Sequence, residues 1–231
     1  NTRGTYEKVT VSLGILDASF AVDIAVAKVD ERGEDHAVAI EAEAHLRQAM
    51  REIEEQVLNG TVGNVGSNAF NGFADQTYLN HTDDTMVVNA GGTTASTGSS
   101  VYAVRMGEGD VELLWGQGGE INVGDRQIVE RAGSSTGRFG AYYHSILGWC
   151  GVKIGTSYSV GRICNLTADS GKGLTDLLIA DLISKFPSGR GPTVLVMNRR
   201  SLKQLQQSRT ATNATGAPAP FPTESFGVPI I

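Results

Sequence analysis

A single amphipathic run from Asp35 to Leu58 constrains this chain more than any other feature. Leu46, Met50, Ile53 and Val57 recur at helical spacing and share one face, while Arg47, Arg51, Glu54 and Glu55 fall mostly off it. Asp35 is a fair N-cap, and Asn59-Gly60 is a stop signal. At 1.5 Å per residue the run makes a rod roughly 36 Å long, at least twice the length of an ordinary helix. The local pattern needs no more than an amphipathic surface helix. The length suggests a spine.

The rest of the 231-residue chain reads as mixed helix and strand. Residues 5–13 have strand propensity, and the apolar stretch from Phe20 to Val29 carries Val22, Ile24 and Val26 in alternation. Residues 60–100 read as a long loop around a short apolar knot, Ala69 to Ala74. Strands are expected at about Ser100–Met106 and Val111–Trp115, joined by Gly107-Glu108-Gly109-Asp110 as a hairpin turn. Residues 116–140 are Gly-rich, and further strands are expected near Ser145–Ile154 and Tyr158–Cys164. A helix from about Leu174 to Phe186 is ended by Pro187 and Gly189. Thr193–Met197 is a buried strand, and Asn198 caps a helix running from Arg199 to about Gln207. A Thr/Ala/Pro loop over 208–222 follows, and the apolar end Phe226–Ile231 reads as a strand cut short. The 29 glycines predict many tight turns and irregular connections.

Charge narrows the function. The chain carries a net −6, which is not the balance of a protein that grips nucleic acid over its whole surface. The distribution is uneven: Glu7 to Glu55 carries a net −7, and Lys172 to Arg209 a net +5. Cys150 and Cys164 read as two free thiols rather than a disulfide framework. There is neither an apolar run long enough to span a membrane nor a visible signal peptide.

Three patterns bear on catalysis, and each lacks a part. Gly133-Ser134-Ser135-Thr136-Gly137 matches the nucleophile-elbow string, which would make Ser135 the nucleophile of a hydrolase. That chemistry needs an acid and then a histidine downstream. The one histidine after Ser135 is His144, with no Asp or Glu between them, so a Gly/Ser loop is the better reading. Ser170-Gly171-Lys172-Gly173 lacks both the earlier glycine and the hydroxyl residue of a phosphate-binding loop, and reads as a turn before a helix. His36, Glu41, Glu43 and His45 are clustered, but only Glu41 and His45 are helical neighbours able to share a metal. A solvated charged face fits better. Arg190, Arg199, Arg200, Lys203 and Arg209 form a basic patch without aromatic platforms for bases, so a salt-bridging protein contact fits it as well as nucleic acid does. The sequence assigns no catalytic residue, cofactor or metal ligand.

Several strings resemble segments of one family in order and spacing. They are LDASFAVD (Leu16–Asp23), FNGFAD (Phe70–Asp75), AGGTTASTGSSVYAVRMGEGDVELLWGQGG (Ala90–Gly119), WCGVKI (Trp149–Ile154), VGRICNL (Val160–Leu166), VLVMNRRSLKQLQQ (Val194–Gln207) and FGVPI (Phe226–Ile230). With the long helix, they resemble the major capsid proteins of some short-tailed phages, which have the Hong Kong 97-type fold. WCGVKI and VGRICNL are similar to two paired strands of that family.

The resemblance implies an α+β subunit in three parts. Residues 1–34 would be the returning half of an extended loop and its link. Residues 35–165 would be a peripheral domain with a spine helix over 35–58 and a β sheet. Residues 166–227 would be an axial domain, and 228–231 the start of a strand returning to the peripheral domain. It implies that both ends of the subunit lie outside this chain. It implies, too, a structural protein, not an enzyme, that self-assembles through hexamers and pentamers into an icosahedral shell. The shell would enclose double-stranded DNA without binding it specifically, and would work with scaffolding, portal and cement proteins. It would form in the bacterial host's cytoplasm and reside in the virion, without a membrane. No residues for a covalent crosslink between subunits can be assigned. An encapsulin-type nanocompartment shell is the alternative of the same fold, and a serine hydrolase using Ser135 is the alternative of another class.

Overall fold

The computed structural model describes residues 10–60, 69–116, 119, 121–132, 137–214 and 216–231. In chain order the strands are β1 (Gly14–Asp17), β2 (Phe20–Asp23), β3 (Val87–Asn89), β4 (Ser99–Val104), β5 (Val111–Trp115), β6 (Asn122–Val123), β7 (Gln127–Ala132), β8 (Arg138–His144), β9 (Ile146–Ile154), β10 (Val160–Leu166), β11 (Val194–Val196), β12 (Glu224–Ser225) and β13 (Val228–Pro229). The helices are α1 (Ile24–Val29), α2 (Glu34–Asn59), α3 (Asp176–Ser184) and α4 (Arg199–Ala211), with 3-10 turns at Phe73–Asp75 and Thr77–Leu79. The class is α+β. The chain forms two compact units, each built from non-adjacent stretches: 10–72 with 113–152, and 73–112 with 153–231.

The first unit is built on α2. Its 26 residues give a rod of about 39 Å. The helix begins one residue earlier than expected, and Asp35 is not its cap. Gly33, at φ +97°, precedes the first turn without a side-chain cap, and the Asp35 carboxylate instead pairs with Arg126 at 2.9 Å. Glu34 and Asp35 still place negative charge where the helix dipole favours it. Ala49 and Ile53 are buried, and Leu46, Met50 and Val57 are half-buried, so the apolar stripe is real but shallow. The stop at Gly60 works by close approach, not by left-handed backbone. Its φ is −66°, and a Cβ there would collide with Gln56, as would one at Gly72.

The apolar stretch from Phe20 divides. Only β2 is strand; Asp23 accepts from the Ala25 N–H at 2.7 Å and starts α1, so Ile24 and Val26 are helical. A local cap overrides alternation here. β1 pairs with β9 antiparallel, Gly14 opposite Cys150, and β9 also pairs with β5 and β6. A second, three-stranded sheet runs β2-β8-β7. Its β7–β8 pairing, Gln127 opposite Tyr143 through Ala132 opposite Arg138, falls largely where loop was expected.

The second unit centres on the sheet β11-β4-β10-β3. β3 pairs parallel with β10 inside the expected loop over 60–100. Val101, Tyr102, Ala103 and Val104 of β4 are all buried, as in a central strand covered on both faces. Helix α3 packs on β10 and β3, and α4 packs on β4. The Thr175 hydroxyl caps α3 by accepting from Leu178 N–H, and the Asn198 side chain caps α4 by accepting from Ser201 N–H. α4 continues to Ala211, beyond the expected Gln207.

Two strand partnerships differ from the sequence reading. β4 and β5 are not a hairpin. The turn forms, with Gly109 at φ +81° and Val111 N–H donating to Arg105 C=O at 3.1 Å, yet the strands enter different sheets. β9 and β10 likewise belong to different sheets rather than pairing with each other. The chain's apolar end does form strand. β12 and β13 turn through Phe226 (φ +51°) and Gly227 (φ +74°), and Ile231 N–H then donates to Leu195 C=O at 2.9 Å. Cys150 and Cys164 are free and buried, and burial pushes both thiols up. Among the described residues no helix is long and apolar enough to cross a membrane.

Candidate subunit-contact surfaces

Among the described residues, those singled out for catalysis form no complete catalytic or metal-binding set. Ser135 lies outside the described residues. His144, the one histidine that could follow it, sits on β8 with its ring stacked on Phe20 at 5.4 Å. His45 of α2 also stacks on Phe20, at 5.6 Å. His45 Nε2 lies 4.0 Å from Glu41, whereas His36 turns to Asp30 at 3.3 Å and Glu43 pairs with Arg47. No group of three potential ligands converges among the described residues.

The Lys172 segment forms a turn. Gly171 has φ +73°, and Lys172 N–H donates to Asp169 C=O at 3.0 Å. The Asp169 carboxylate stitches this turn to 93–94. It accepts from the backbone N–H groups of Thr93 and Thr94 and from the hydroxyls of Thr94 and Thr167. The hydrogen bond from the Thr94 hydroxyl leads the causes that bring its pKa down to about 2.

The basic patch resolves into two kinds of cation. Arg209 makes a two-pronged bond to Asp176, both distances 2.7 Å, a geometry suited to a planar guanidinium. Arg190 donates to Asp110 at 2.8 Å. Asp110 also takes Arg105 Nε and the Ser159 hydroxyl, each at 2.8 Å. These arginines are structural. Arg199, Arg200 and Lys203 make no ion pair among the described residues. Arg200 and Lys203 line a cleft of about 410 Å³ between α4 and the 167–175 loop, with Gln204, Gln207 and Ser208 beside them. One guanidinium nitrogen of Arg200 is buried without a hydrogen-bond partner.

The first unit presents an apolar groove of about 620 Å³ formed by β2, α1 and the start of α2. Val26, Val29 and Ile40 line it at 65%, 81% and 52% exposure. Val22, Ala25 and Ala37 complete the apolar lining, and Asp30 and Glu41 are its acidic members. An apolar surface rimmed by charge marks a protein contact site. The β7–β8 ladder adds Ile128, 73% exposed. No sequence signal separated these exposed apolar positions from core positions.

No curated protein sequence matches the chain significantly. A protein-family profile, described as major capsid protein GP7, matches residues 1–218. That family is structural. The chain belongs to the major capsid protein GP7 family, the structural capsid proteins of bacteriophage virions.

Proposed function

We propose that this subunit self-assembles through hexamers and pentamers into an icosahedral shell of the Hong Kong 97 type, enclosing a double-stranded DNA genome. The observation that carries the reading is the groove at Val26, Val29 and Ile40, apolar surface that a free subunit leaves in water. Burying it between copies is favourable by roughly 25 cal/mol per Å². Many such contacts of modest affinity make a stable shell through multivalency. The net charge of −6 favours a wall that encloses DNA without binding it specifically.

In this reading the unit containing α2 is the peripheral domain and the unit containing α3 and α4 is the axial domain. Scaffolding, portal and cement proteins are the expected partners, and the host cytoplasm is the expected site of assembly. The paired substitution Val26→Asp and Val29→Asp tests the reading. Shell yield, followed by sedimentation, falls on the order of tenfold or more, with the thermal midpoint of the free subunit unchanged. Full shell yield from that variant contradicts it.

A further inference from the structure

The basic stretch from Lys172 to Arg209 is not uniform in its bonding. Arg190 and Arg209 are held by Asp110 and Asp176, and Lys185 donates to the Asp84 carbonyl. Arg200 and Lys203 have no ion-pair partner among the described residues, yet they stand one helical turn apart on α4, facing one cleft. Arg200 is half-buried, with one guanidinium nitrogen fully buried and unbonded. Asp169 also lines the cleft, but its oxygens are occupied by Thr93, Thr94 and Thr167.

The acidic stretch from Glu7 to Glu55 shows the converse. On α2, Glu34 accepts from Tyr142, Asp35 pairs with Arg126, Glu43 with Arg47, and Glu52 accepts from Gln48. Glu54 and Glu55 are adjacent and exposed, and make no ion pair among the described residues.

The geometry points to the Arg200–Lys203 cleft as a carboxylate receptor for Glu54 and Glu55 of a second copy. This rests on the reading that copies assemble. Two cations that make no ion pair among the described residues meet two acids that make none there, so one contact neutralises both. Joining two different surfaces of one chain makes the contact head-to-tail, the kind that closes into rings. A phosphate backbone would match the same cations, but the cleft has no aromatic lining residue on which a base could stack.

A charge swap tests this in the full chain. Arg200→Glu with Lys203→Glu, and separately Glu54→Lys with Glu55→Lys, each lower shell yield on the order of tenfold. The quadruple variant recovers to within about twofold of the original. Doubles that assemble normally, or a quadruple no better than the doubles, overturn the inference. A labelled peptide of residues 48–59 is also titrated onto the unassembled chain. Arg200→Gln with Lys203→Gln weakens its binding on the order of tenfold, and equal binding to both forms overturns the inference. If a duplex oligonucleotide, and not the peptide, requires Arg200 and Lys203, the cleft is a DNA site and the inference fails. A chain that forms no shells refutes the assembly reading, while the peptide titration still decides the cleft.

Discussion

Asp110 has a side-chain exposure of 8% and lies within 2.8 Å of both Arg105 and Arg190. Asp110→Asn leaves the two guanidiniums facing no charge. Breaking a fully buried pair costs about 3–5 kcal/mol, and because Arg190 is half exposed the expected loss is about 2–3 kcal/mol in denaturant unfolding. Burial alone raises the Asp110 pKa, but the Ser159 hydroxyl and the two arginines outweigh it and hold the carboxyl below its ordinary 3.8. Asp169, held by hydroxyl and backbone donors, is brought down to about 2. A depressed carboxylate contributes stability that is fully present above its unfolded value and is lost as pH falls through the folded value. Unfolding followed from pH 5 downward is therefore expected to show stability falling between about pH 4 and pH 2. Asp169→Asn should flatten that fall, and an unchanged slope would contradict the role given to Asp169. The basic patch itself was legible in the sequence, but its division was not. Arg190 finds its acid 80 residues away and Arg209 finds its own 33 away, separations that no local pattern encodes.

Helix α3 meets strand β10 at Gly161. A Cβ there would lie 2.9 Å from Leu182 Cδ1 and 3.1 Å from Phe186 Cε2. Gly161→Ala should destabilise the protein by about 1–3 kcal/mol through overpacking, read as a lowered thermal midpoint. An unchanged midpoint would show that the helix shifts freely on the sheet. Elements whose signals are local were the legible ones. The spine repeat, the Asn198 cap and the apolar run at Val194–Val196 each announce themselves within a few residues. The β7–β8 ladder did not, because nearly all of β7 is exposed and carries no alternation. The Gly107–Asp110 turn was read correctly as a turn and wrongly as a hairpin. Turn chemistry specifies the reversal, whereas the partners of β4 and β5 are chosen by distant strands. Exposed apolar residues such as Val29 were equally hidden, since in sequence they look like core.

A shell subunit must keep apolar and charged surface available for its neighbours, which fits a chain that is net acidic from Glu7 to Glu55 and net basic from Lys172 to Arg209. Long-range attraction between those stretches steers encounter and is screened by salt. Assembly of purified subunits should therefore slow as ionic strength rises from about 0.05 M to about 0.5 M, as followed by light scattering. A rate independent of salt would leave the charge asymmetry without a role in assembly. Electron microscopy of the purified full-length protein under assembly conditions tests the central claim most directly. Closed shells with icosahedral symmetry are the predicted result; a field of dispersed monomers would contradict the account.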